Sequence, residues 1–517
     1  MTASAVAGLV VAVAGIAASS LRWLRVAQRE HYLAGSATRF AARWWRSTPF
    51  DVAALAVGLA GLAVSAFVAA LAVVPAAVGA LAPRRLGLRG RTSRLVWTRR
   101  LLALAVVLGV VEAIGVSLGA VVSGVHGACF AAACLCLLSP LALDLALALT
   151  APVEDRAART FVRQARARLE RVHPVVVAVT GSYGKTTTKG YIAHLVGAEK
   201  DTVASPQSYN NRAGLSRTVN EHLGPATEVL VAEMGSYGPG EIAALCEWMT
   251  PDIAVITAIG PAHLERFKSL DRTLKAKAEI TERAQVTVLN IDDERLAGLA
   301  KQLASAGKRV VRASGSDAEA DVAVLPAPDG IEIRIAGRRL GMAMTGVADR
   351  PTALSNAACA VGVALELGVE PATLLPRLAT LPVPANRLQR YLAEGGYVVL
   401  DDTFNSNPTG ARFALNRLQA EAAGGRRVLV TPGMVELGRM QPAENAALAE
   451  AAASVVSDIV IVARTNRRAL AAGAQRHEGG ATVVVVDRLD EAVAWVRGHL
   501  GHGDAVLYEN DLPDHFP

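Results

Sequence analysis

Four long apolar stretches in the first 150 residues limit what this chain can fold into. They cover about residues 1–20, 52–82, 101–124 and 128–149. A helix needs about 20 apolar residues to cross a bilayer. With 52% hydrophobic and 19% charged residues, the whole chain is also too apolar to be disordered or fully soluble. The sequence therefore predicts an α-helical membrane domain over residues 1–150, with four or five transmembrane spans.

Arginine clusters beside these stretches bear on the membrane topology. Six arginines lie within residues 21–50 and seven within residues 83–100, and basic loops stay on the cytoplasmic side of a membrane. One crossing by stretch 52–82 would put the two clusters on opposite sides. We therefore favour a hairpin of two short helices there, broken near Gly58–Gly61 or at Pro75, which gives five spans. A single crossing gives four.

Polar residues inside and after the apolar part suggest contacts with lipid or between helices. Glu112 and Asp144 lie within apolar sequence, where acids are often functional, although each could instead lie near the interface or bond a neighbouring helix. Residues 151–172 are basic and amphipathic, which predicts a juxtamembrane linker helix. Membrane lipid with anionic headgroups suits this helix, and a solvated linker is the alternative.

Cysteine spacing and charge argue against a zinc-binding, a disulfide-rich or a nucleic-acid-binding protein. The five cysteines lack the spacing of a zinc site or a disulfide scaffold. The net charge of +7 comes with arginine clusters that flank the apolar stretches, without the interleaved base-stacking pattern of nucleic-acid binders. We therefore expect no nucleic acid as a partner.

A glycine-rich loop follows a short β-branched run. Residues 175–179 are typical of a buried parallel strand, TGSYGKTTT follows at 180–188, and a helical pattern then continues to about Gly197. Strand, loop and helix in this order form a phosphate cradle, because backbone amides and the helix N-terminus face the anion. Lys185 would reach the β- and γ-phosphates of a nucleotide, and the Thr186 hydroxyl would reach Mg²⁺.

Further polar residues follow the next predicted strands. Glu233 ends an apolar strand at 229–232, where a carboxylate is a natural magnesium ligand. His263 follows a strand predicted over 252–260 and either binds metal or bonds a carbonyl group. Lys277 opens a helical segment and by itself would lie on a solvated face. A fourth strand is predicted at 286–290.

The order of these and later motifs resembles the Mur ligase family, ATP-dependent enzymes that form amide bonds in cell-wall peptide assembly. The resemblance covers about residues 173–510. DDTFNSNP and MVELG look most like the branch that adds D-alanyl-D-alanine to a UDP-muramoyl tripeptide. The matching segments are TGSYGKTTTK (180–189), SYNNRAGL (208–215), EMGSYGPGEI (233–242), ITAIGPAHLE (256–265), AKAEI (276–280), VLNIDD (288–293), SNAACAVGVALELGV (355–369), NRLQ (386–389), DDTFNSNP (401–408) and MVELG (434–438).

The resemblance implies a role for each matching residue. The ATP site would comprise Gly181, Ser182, Tyr183, Gly184, Lys185, Thr186, Thr187, Asn290, Arg387 and Asp402. Two Mg²⁺ ions would be held by Thr186, Glu233, His263 and Lys277. The catalytic residues would be Lys185, Lys277 and His263. The substrates would contact Asn210, Asn211, Asn405 and Asn407.

Some of these roles have alternatives. Lys277 matches the family's carbamylated lysine, and an unmodified lysine in an ion pair is the other interpretation. Arg387 and Asp402 match residues that touch the nucleotide when the C-terminal domain closes. Asn405 and Asn407 would shape the site of the incoming amine, or would occupy a tight turn for backbone reasons.

The residues suit one class of reaction. A phosphate loop with acidic and imidazole metal ligands supports transfer of the γ-phosphoryl group of ATP to a substrate carboxylate. An amine then attacks the acyl phosphate and displaces phosphate. Domain closure about a hinge near 382–387 must exclude water, because hydrolysis would compete. No single side chain need be the nucleophile, since positioning and electrostatics carry the rate.

The part after the apolar stretches divides into two α/β domains. Residues 173–385 predict a central P-loop ATPase domain with a parallel sheet, in which the alternating pattern of 310–345 predicts a small antiparallel insert. Residues 386–517 alternate apolar strands with alanine-rich helices, which is typical of a doubly wound, Rossmann-like domain.

Several alternatives stay open. The apolar stretches stand where the family has a UDP-binding domain, so the donor is a UDP-linked or a lipid-linked cell-wall precursor, and the amine is an amino acid or a dipeptide. The first alternative is a ligase or amidase acting on a lipid-linked glycopeptide or a capsule poly-amino acid. The second is a transport ATPase or a non-catalytic nucleotide-binding scaffold. We expect a multi-pass protein of the bacterial plasma membrane with cytoplasmic ligase domains, of open oligomeric state.

Overall fold

The chain forms two compact units. The computed structural model describes residues 3–30, 32–84, 86–88, 95–206, 209–344, 351–382, 388–403, 406–421, 424–477 and 480–512. The first unit, here called the helical unit, ends at Ala157, and the second, the α/β unit, covers Ala158–Asp511.

The helical unit contains apolar helices and a fold-back in the longest of them. Its helices are α1 (Ala3–Arg29), α2 (Ser36–Trp45), α3 (Pro49–Ser65), α4 (Val73–Leu81) and α5 (Arg99–Val172). The backbone of α5 leaves helical geometry at Ser123 and Gly124. The two arms meet closely there, since a Cβ on Gly127 would lie 2.0 Å from the carbonyl oxygen of Gly119. This hairpin is the one expected for 101–124 and 128–149, and its second arm stays helical to Val172.

Two helices of the helical unit are long and apolar enough to cross a membrane. Among the described residues, Ala5–Arg29 and Arg99–Val172 pass by length and composition, and the bent pair α2 and α3 gives at most a third. The number of spans, four or five, stays a prediction, because α5 counts once here although its fold-back at Ser123 and Gly124 gives two arms. Stretch 52–82 is divided between α3, of 17 residues, and α4, of 9.

Stretch 52–82 is broken at a different place from the one predicted. The break between α3 and α4 lies after Ser65, and neither Gly58–Gly61 nor Pro75 interrupts a helix. Instead, a Cβ on Gly61 would lie 2.7 Å from Cγ1 of Val74. The glycines therefore allow α3 and α4 to pack closely, as small residues do between membrane helices.

The two acids within apolar sequence have partners inside the helical unit. Glu112 accepts a hydrogen bond from the Ser20 hydroxyl at 2.5 Å. Asp144 accepts the backbone N–H groups of Gly35 and Thr38, both at 2.9 Å, at the N-terminus of α2. A carboxylate at that position stabilises a helix. These contacts agree with the structural alternative for both acids.

The α/β unit contains two sheets. The first has the strand order β2-β3-β1-β4-β5-β6-β7-β8-β9, and the second has the order β10-β11-β15-β12-β13-β14. The strands are β1 (Val175–Thr180), β2 (Thr202–Ala204), β3 (Val229–Glu233), β4 (Ile253–Ile256), β5 (Val286–Asn290), β6 (Arg309–Ser314), β7 (Val322–Ala327), β8 (Gly330–Ile335), β9 (Arg338–Ala343), β10 (Gln389–Leu392), β11 (Val398–Asp402), β12 (Arg427–Thr431), β13 (Asp458–Val462), β14 (Thr482–Val486) and β15 (Ala505–Glu509). The helices are α6 (Lys185–Val196), α7 (Arg212–His222), α8 (Glu241–Cys246), α9 (Leu264–Phe267), α10 (Leu270–Ala278), α11 (Glu294–Ser305), α12 (Pro351–Glu366), α13 (Pro371–Ala379), α14 (Pro408–Glu421), α15 (Gln441–Ala453), α16 (Arg467–Ala474) and α17 (Leu489–His499).

The first sheet brings the predicted site loops to one edge. Strand β1 pairs in parallel with β3 and β4, and β4 pairs in parallel with β5. The carboxyl ends of these strands therefore lie side by side, which is where ligands bind in open α/β sheets. Strand β4 ends at Ile256, so the strand predicted over 252–260 is too long, and its last residues form a loop at this edge.

The predicted antiparallel insert is a continuation of the same sheet. Strands β7, β8 and β9 pair antiparallel with one another, and β7 joins the parallel part through Ala313 and Val322 of β6 and β7. In the second sheet β11, β12, β13, β14 and β15 pair in parallel, which agrees with the strand and helix alternation predicted for 386–517, and β15 lies between β11 and β12. The antiparallel edge strand β10 and helix α16 were not predicted.

Candidate active site

The glycine-rich loop between β1 and α6 is fixed by contacts to neighbouring loops. The Ser182 N–H donates to the Ala258 carbonyl at 2.8 Å, and its hydroxyl bonds Gly260 O at 3.1 Å. Gly184 has φ +80°, and a Cβ there would lie 2.5 Å from Oδ1 of Asn356. These contacts fix the conformation of the loop. Its amides lie at the N-terminus of α6, as a phosphate site needs.

Lys185 and Tyr183 are held against this loop. The Lys185 Nζ donates to the Gly181 carbonyl at 2.8 Å, and the Thr257 hydroxyl donates to the Tyr183 carbonyl. The Tyr183 ring packs where a Cβ on Gly260 would come within 2.2 Å of it. Burial raises the pKa of the Tyr183 hydroxyl, which is therefore neutral.

Glu233 is the buried centre of a polar cluster at the end of β3. Its Oε2 accepts from the Thr186 hydroxyl at 2.9 Å and from Lys189 Nζ at 3.1 Å, and its Oε1 accepts from Asn210 Nδ2 at 3.1 Å. The structure thus brings Thr186 and Glu233, both predicted to hold Mg²⁺, together with Asn210, which was predicted to contact the substrates. Lys189 was assigned no role from the sequence, although its spacing of four from Lys185 puts both lysines on one face of α6.

Lys277 is buried, with its amine turned to a hydroxyl. Nζ donates to Ser236 Oγ at 3.1 Å and lies 5.6 Å from the centre of the Phe267 ring. Burial, and secondly the positive charge of Lys185, lower the pKa of Lys277 to about 7. Much of the amine is therefore neutral near pH 7, and a neutral amine is the form that reacts with carbon dioxide to give a carbamate.

His263 joins the two sheets through an acid from the second one. Its Nδ1 shares a hydrogen bond with the Glu436 carboxylate, and the Glu265 N–H donates to the Glu436 carbonyl at 3.3 Å. The Tyr237 ring meets the imidazole edge-on, with 4.8 Å between the ring centres. Glu436 lies in the MVELG segment but was given no role of its own from the sequence.

Two cavities are lined by different sets of predicted residues. The first, of about 30 Å³, is lined in part by Lys185, Asn210, His263 and Lys277. The second, of about 610 Å³, has walls from both sheets, and the predicted residues that line it are Tyr183, Gly184, Thr187, Asn290, Asp402 and Asn407.

Of four other predicted residues, two make structural contacts and two lie outside the described part of the chain. Asn211 caps α7 by accepting the Gly214 N–H at 2.9 Å. The Asn290 amide donates to Thr257 O at 2.8 Å, so it supports the loop as well as lining the larger cavity. Arg387 and Asn405 lie outside the described residues.

The residues present fit a magnesium site. The Thr186 hydroxyl and the Glu233 carboxylate are the oxygen ligands that Mg²⁺ prefers. The described part of the chain has no group of three or more His, Cys, Asp or Glu side chains arranged to hold a metal ion. A carbamate on Lys277 would add a carboxylate to the small cavity beside His263.

Comparisons with known proteins assign this arrangement to a family. The model of the Mur ligase middle domain matches residues 179–364, and that of the Mur ligase glutamate ligase domain matches residues 386–508. A UDP-N-acetylmuramoyl-tripeptide–D-alanyl-D-alanine ligase of Mycobacterium tuberculosis is 32% identical over 357 residues, which are 64% of this chain and 69% of the relative. The enzyme of the same name from Bacillus subtilis is 29% identical over 282 residues, 54% of this chain and 60% of the relative.

Solved structures agree on the fold. A crystal structure of MurF from Acinetobacter baumannii superposes with a TM-score of 0.58 at 25% identity and covers 68% of this chain and 78% of that one. MurF from Thermotoga maritima in complex with ADP gives a TM-score of 0.56 at 24% identity, covering 68% and 80%. The chain belongs to the Mur ligase family of ATP-dependent ligases.

Proposed function

We propose that this protein joins D-alanyl-D-alanine to a UDP-N-acetylmuramoyl tripeptide, the activity named for its relatives. The proposal rests on how three features of the site are arranged. A fixed phosphate loop, the buried Glu233 beside Thr186, and a Lys277 amine with a pKa of about 7 lie at the carboxyl edge of one sheet. Those are the elements that activation of a carboxylate by ATP requires.

The first step is transfer of the γ-phosphoryl group to the carboxylate of the tripeptide. The loop amides and Lys185 bind the phosphates, and Lys185 exchanges its bond to the Gly181 carbonyl for one to phosphate. Thr186 and Glu233 would hold Mg²⁺, together with His263 and a carbamylated Lys277. A bound Mg²⁺ screens the repulsion between the carboxylate and the γ-phosphate.

The second step is attack of the dipeptide amine on the acyl phosphate, which releases phosphate. Asn210 lies beside Glu233, and we infer that it orients the acceptor, with Asn211 capping the helix that follows. Asn407, together with Asn405, would shape the amine site, and Asp402 and Arg387 would contact the nucleotide. The contact between Glu436 and His263 holds the two sheets together and excludes water from the intermediate.

We also propose the domain boundaries and the location. Residues 173–385 form the P-loop ATPase domain, 386–517 the Rossmann-like domain, and 1–150 the membrane domain with its linker at 151–172. The support is the apolar surface of the helical unit, where Val121 and Val122 are 84% and 85% exposed. Such a surface fits a bacterial plasma membrane with the ligase domains on its cytoplasmic side.

The same apolar surface favours a second candidate function. A ligase held at the membrane could take a lipid-linked precursor as its donor, and residues 1–178 lie outside both family models. Attachment itself is tested by flotation of the full chain with vesicles made from bacterial phospholipid.

The deciding experiment is phosphate release by the detergent-purified full chain. The assay contains ATP, Mg²⁺ and UDP-muramoyl tripeptide, with or without D-alanyl-D-alanine, and product mass is followed. We expect dipeptide-dependent release and a matching mass gain, both lost in Lys185→Met. Turnover only with a lipid-linked donor would instead support the second candidate, and binding of ATP without turnover on either donor would refute both.

A further inference from the structure

A buried acid at the end of β15 lies behind the larger cavity. Glu509 has no exposed surface. It is the register partner of Asp402 in the parallel pair of β15 and β11. Register partners in neighbouring strands point to the same face of a sheet. Two carboxyl groups are therefore side by side at the carboxyl edge of the second sheet.

Each acid also has a partner that fixes its orientation. The Ser406 hydroxyl donates to Oε1 of Glu509, and the Leu388 N–H donates to Oδ1 of Asp402 at 3.0 Å. Oε2 of Glu509 is buried, and no N–H or O–H group of the described residues donates to it. It can hydrogen-bond the neighbouring Asp402 carboxyl group only when one of the two acids carries a proton.

Burial favours the protonated form of Glu509. Complete burial, and secondly the charge of Asp402, raise the pKa of Glu509 well above its ordinary value. Asp402 is only partly buried and accepts a backbone N–H. A protonated Glu509 can therefore donate from Oε2 to Asp402 while its Oε1 accepts from Ser406.

The groups held by Glu509 face the cavity between the two sheets. Asp402, Ser406 and Asn407 line it together with Gly184 and Thr187 of the phosphate loop. The next residue, Asn510, links the end of β15 to another loop. Its Nδ2 donates to the Gly433 carbonyl at 2.6 Å, which fixes the start of the loop that carries the contact to His263.

We propose that Glu509 is a positioning residue, a buried acid that orients Asp402 and the Ser406–Asn407 segment toward the nucleotide. The inference rests on the proposed function only in taking the larger cavity as the ATP site. An orientation role predicts that a neutral side chain of the same shape can replace Glu509. In Glu509→Gln, the amide N–H donates to Asp402 and the amide oxygen accepts from Ser406.

The test compares Glu509→Gln with Glu509→Ala in the full chain. A hydrogen bond to a charged group is worth about a tenfold change in an equilibrium constant. We expect Glu509→Ala to raise the Kd for ADP and the KM for ATP about tenfold. Glu509→Gln should stay within about twofold of the native protein in both constants. Equal losses in the two variants, or no loss in Glu509→Ala, would overturn the proposal.

Two further variants keep the result interpretable. Tyr508→Phe changes the neighbouring residue, which packs with Val399 and Val428 on the other side of the sheet, and should leave both constants unchanged. Ser406→Ala removes the hydroxyl that donates to Glu509 without opening the core. It should raise the Kd for ADP about threefold. This variant decides the question if Glu509→Ala does not fold. ADP binding needs no acceptor. Normal ADP binding without turnover therefore counts against the proposed substrates alone.

Discussion

Replacement of Lys189 by methionine removes the cation beside the Glu233 carboxylate. The side chains of Lys189 and Glu233 are 6% and 2% exposed, so solvent hardly screens the pair. Loss of one partner of a buried ion pair destabilises a protein by about 3–5 kcal/mol, because the other charge stays buried. We expect β3 to open at least about 150-fold more often in Lys189→Met, since 1.36 kcal/mol is a factor of ten.

Amide hydrogen exchange of the peptide that contains β3, measured by mass spectrometry on the full chain, reports this opening. Glu233→Gln should accelerate exchange in the same way, whereas Lys189→Met combined with Glu233→Gln should return to within about fivefold of the native rate. The matched control is Arg217→Met, because the pair of Arg217 and Glu221 is exposed and should change exchange less than about twofold. If the effects of the two substitutions simply add in the double variant, the two charges are not coupled and the reasoning is wrong.

Three other outcomes follow from the site. Gly260→Ala should reduce kcat/KM by about 10²-fold, because its Cβ would come within 2.2 Å of the Tyr183 ring and shift the phosphate loop. Steady-state kinetics measures this change. An unchanged kcat/KM would contradict the packing of Tyr183 against Gly260. Glu436→Ala should lower kcat/KM about tenfold by releasing His263, while the Kd for ADP stays unchanged. A parallel change in both constants would argue against a role of this contact in holding the two sheets together. With its pKa lowered to about 7, Lys277 is mostly charged at pH 6 and mostly neutral at pH 8. Added bicarbonate should therefore raise activity more at pH 8 than at pH 6, and no response to bicarbonate at either pH would count against carbamylation.

Most of the fold could be predicted because local patterns record it. The β-branched runs of β1, β12 and β13 are buried on both faces, and burial of that kind leaves a continuous apolar signal. Strand β10 leaves no such signal, because all four residues of Gln389–Leu392 are exposed. The break after Ser65 was missed for a similar reason: it contains neither glycine nor proline, and packing of α3 against α4 decides where it falls.

The site could be predicted only as far as its residues lie in motifs. Thr186, Glu233 and Lys277 follow strands or loops with a recognisable order. Lys189 and Glu509 gave no usable signal, because their importance depends on partners that are 44 and 103 or more residues away. A lysine in a helix and a glutamate after an apolar strand are both ordinary surface residues until the sheet pairing is known.

The place of β15 has a consequence for synthesis of the protein. This last strand of the second sheet lies between β11 and β12, which precede it by about 75 residues or more. While the ribosome is still making the segment before β15, β11 and β12 have exposed inner edges that only β15 can cover. Asp402 and Asn407 then lack the strand behind them. A nascent or truncated chain without β15 therefore has the phosphate loop but an incomplete opposite wall of the larger cavity, so the nucleotide site is complete only after β15 has been made.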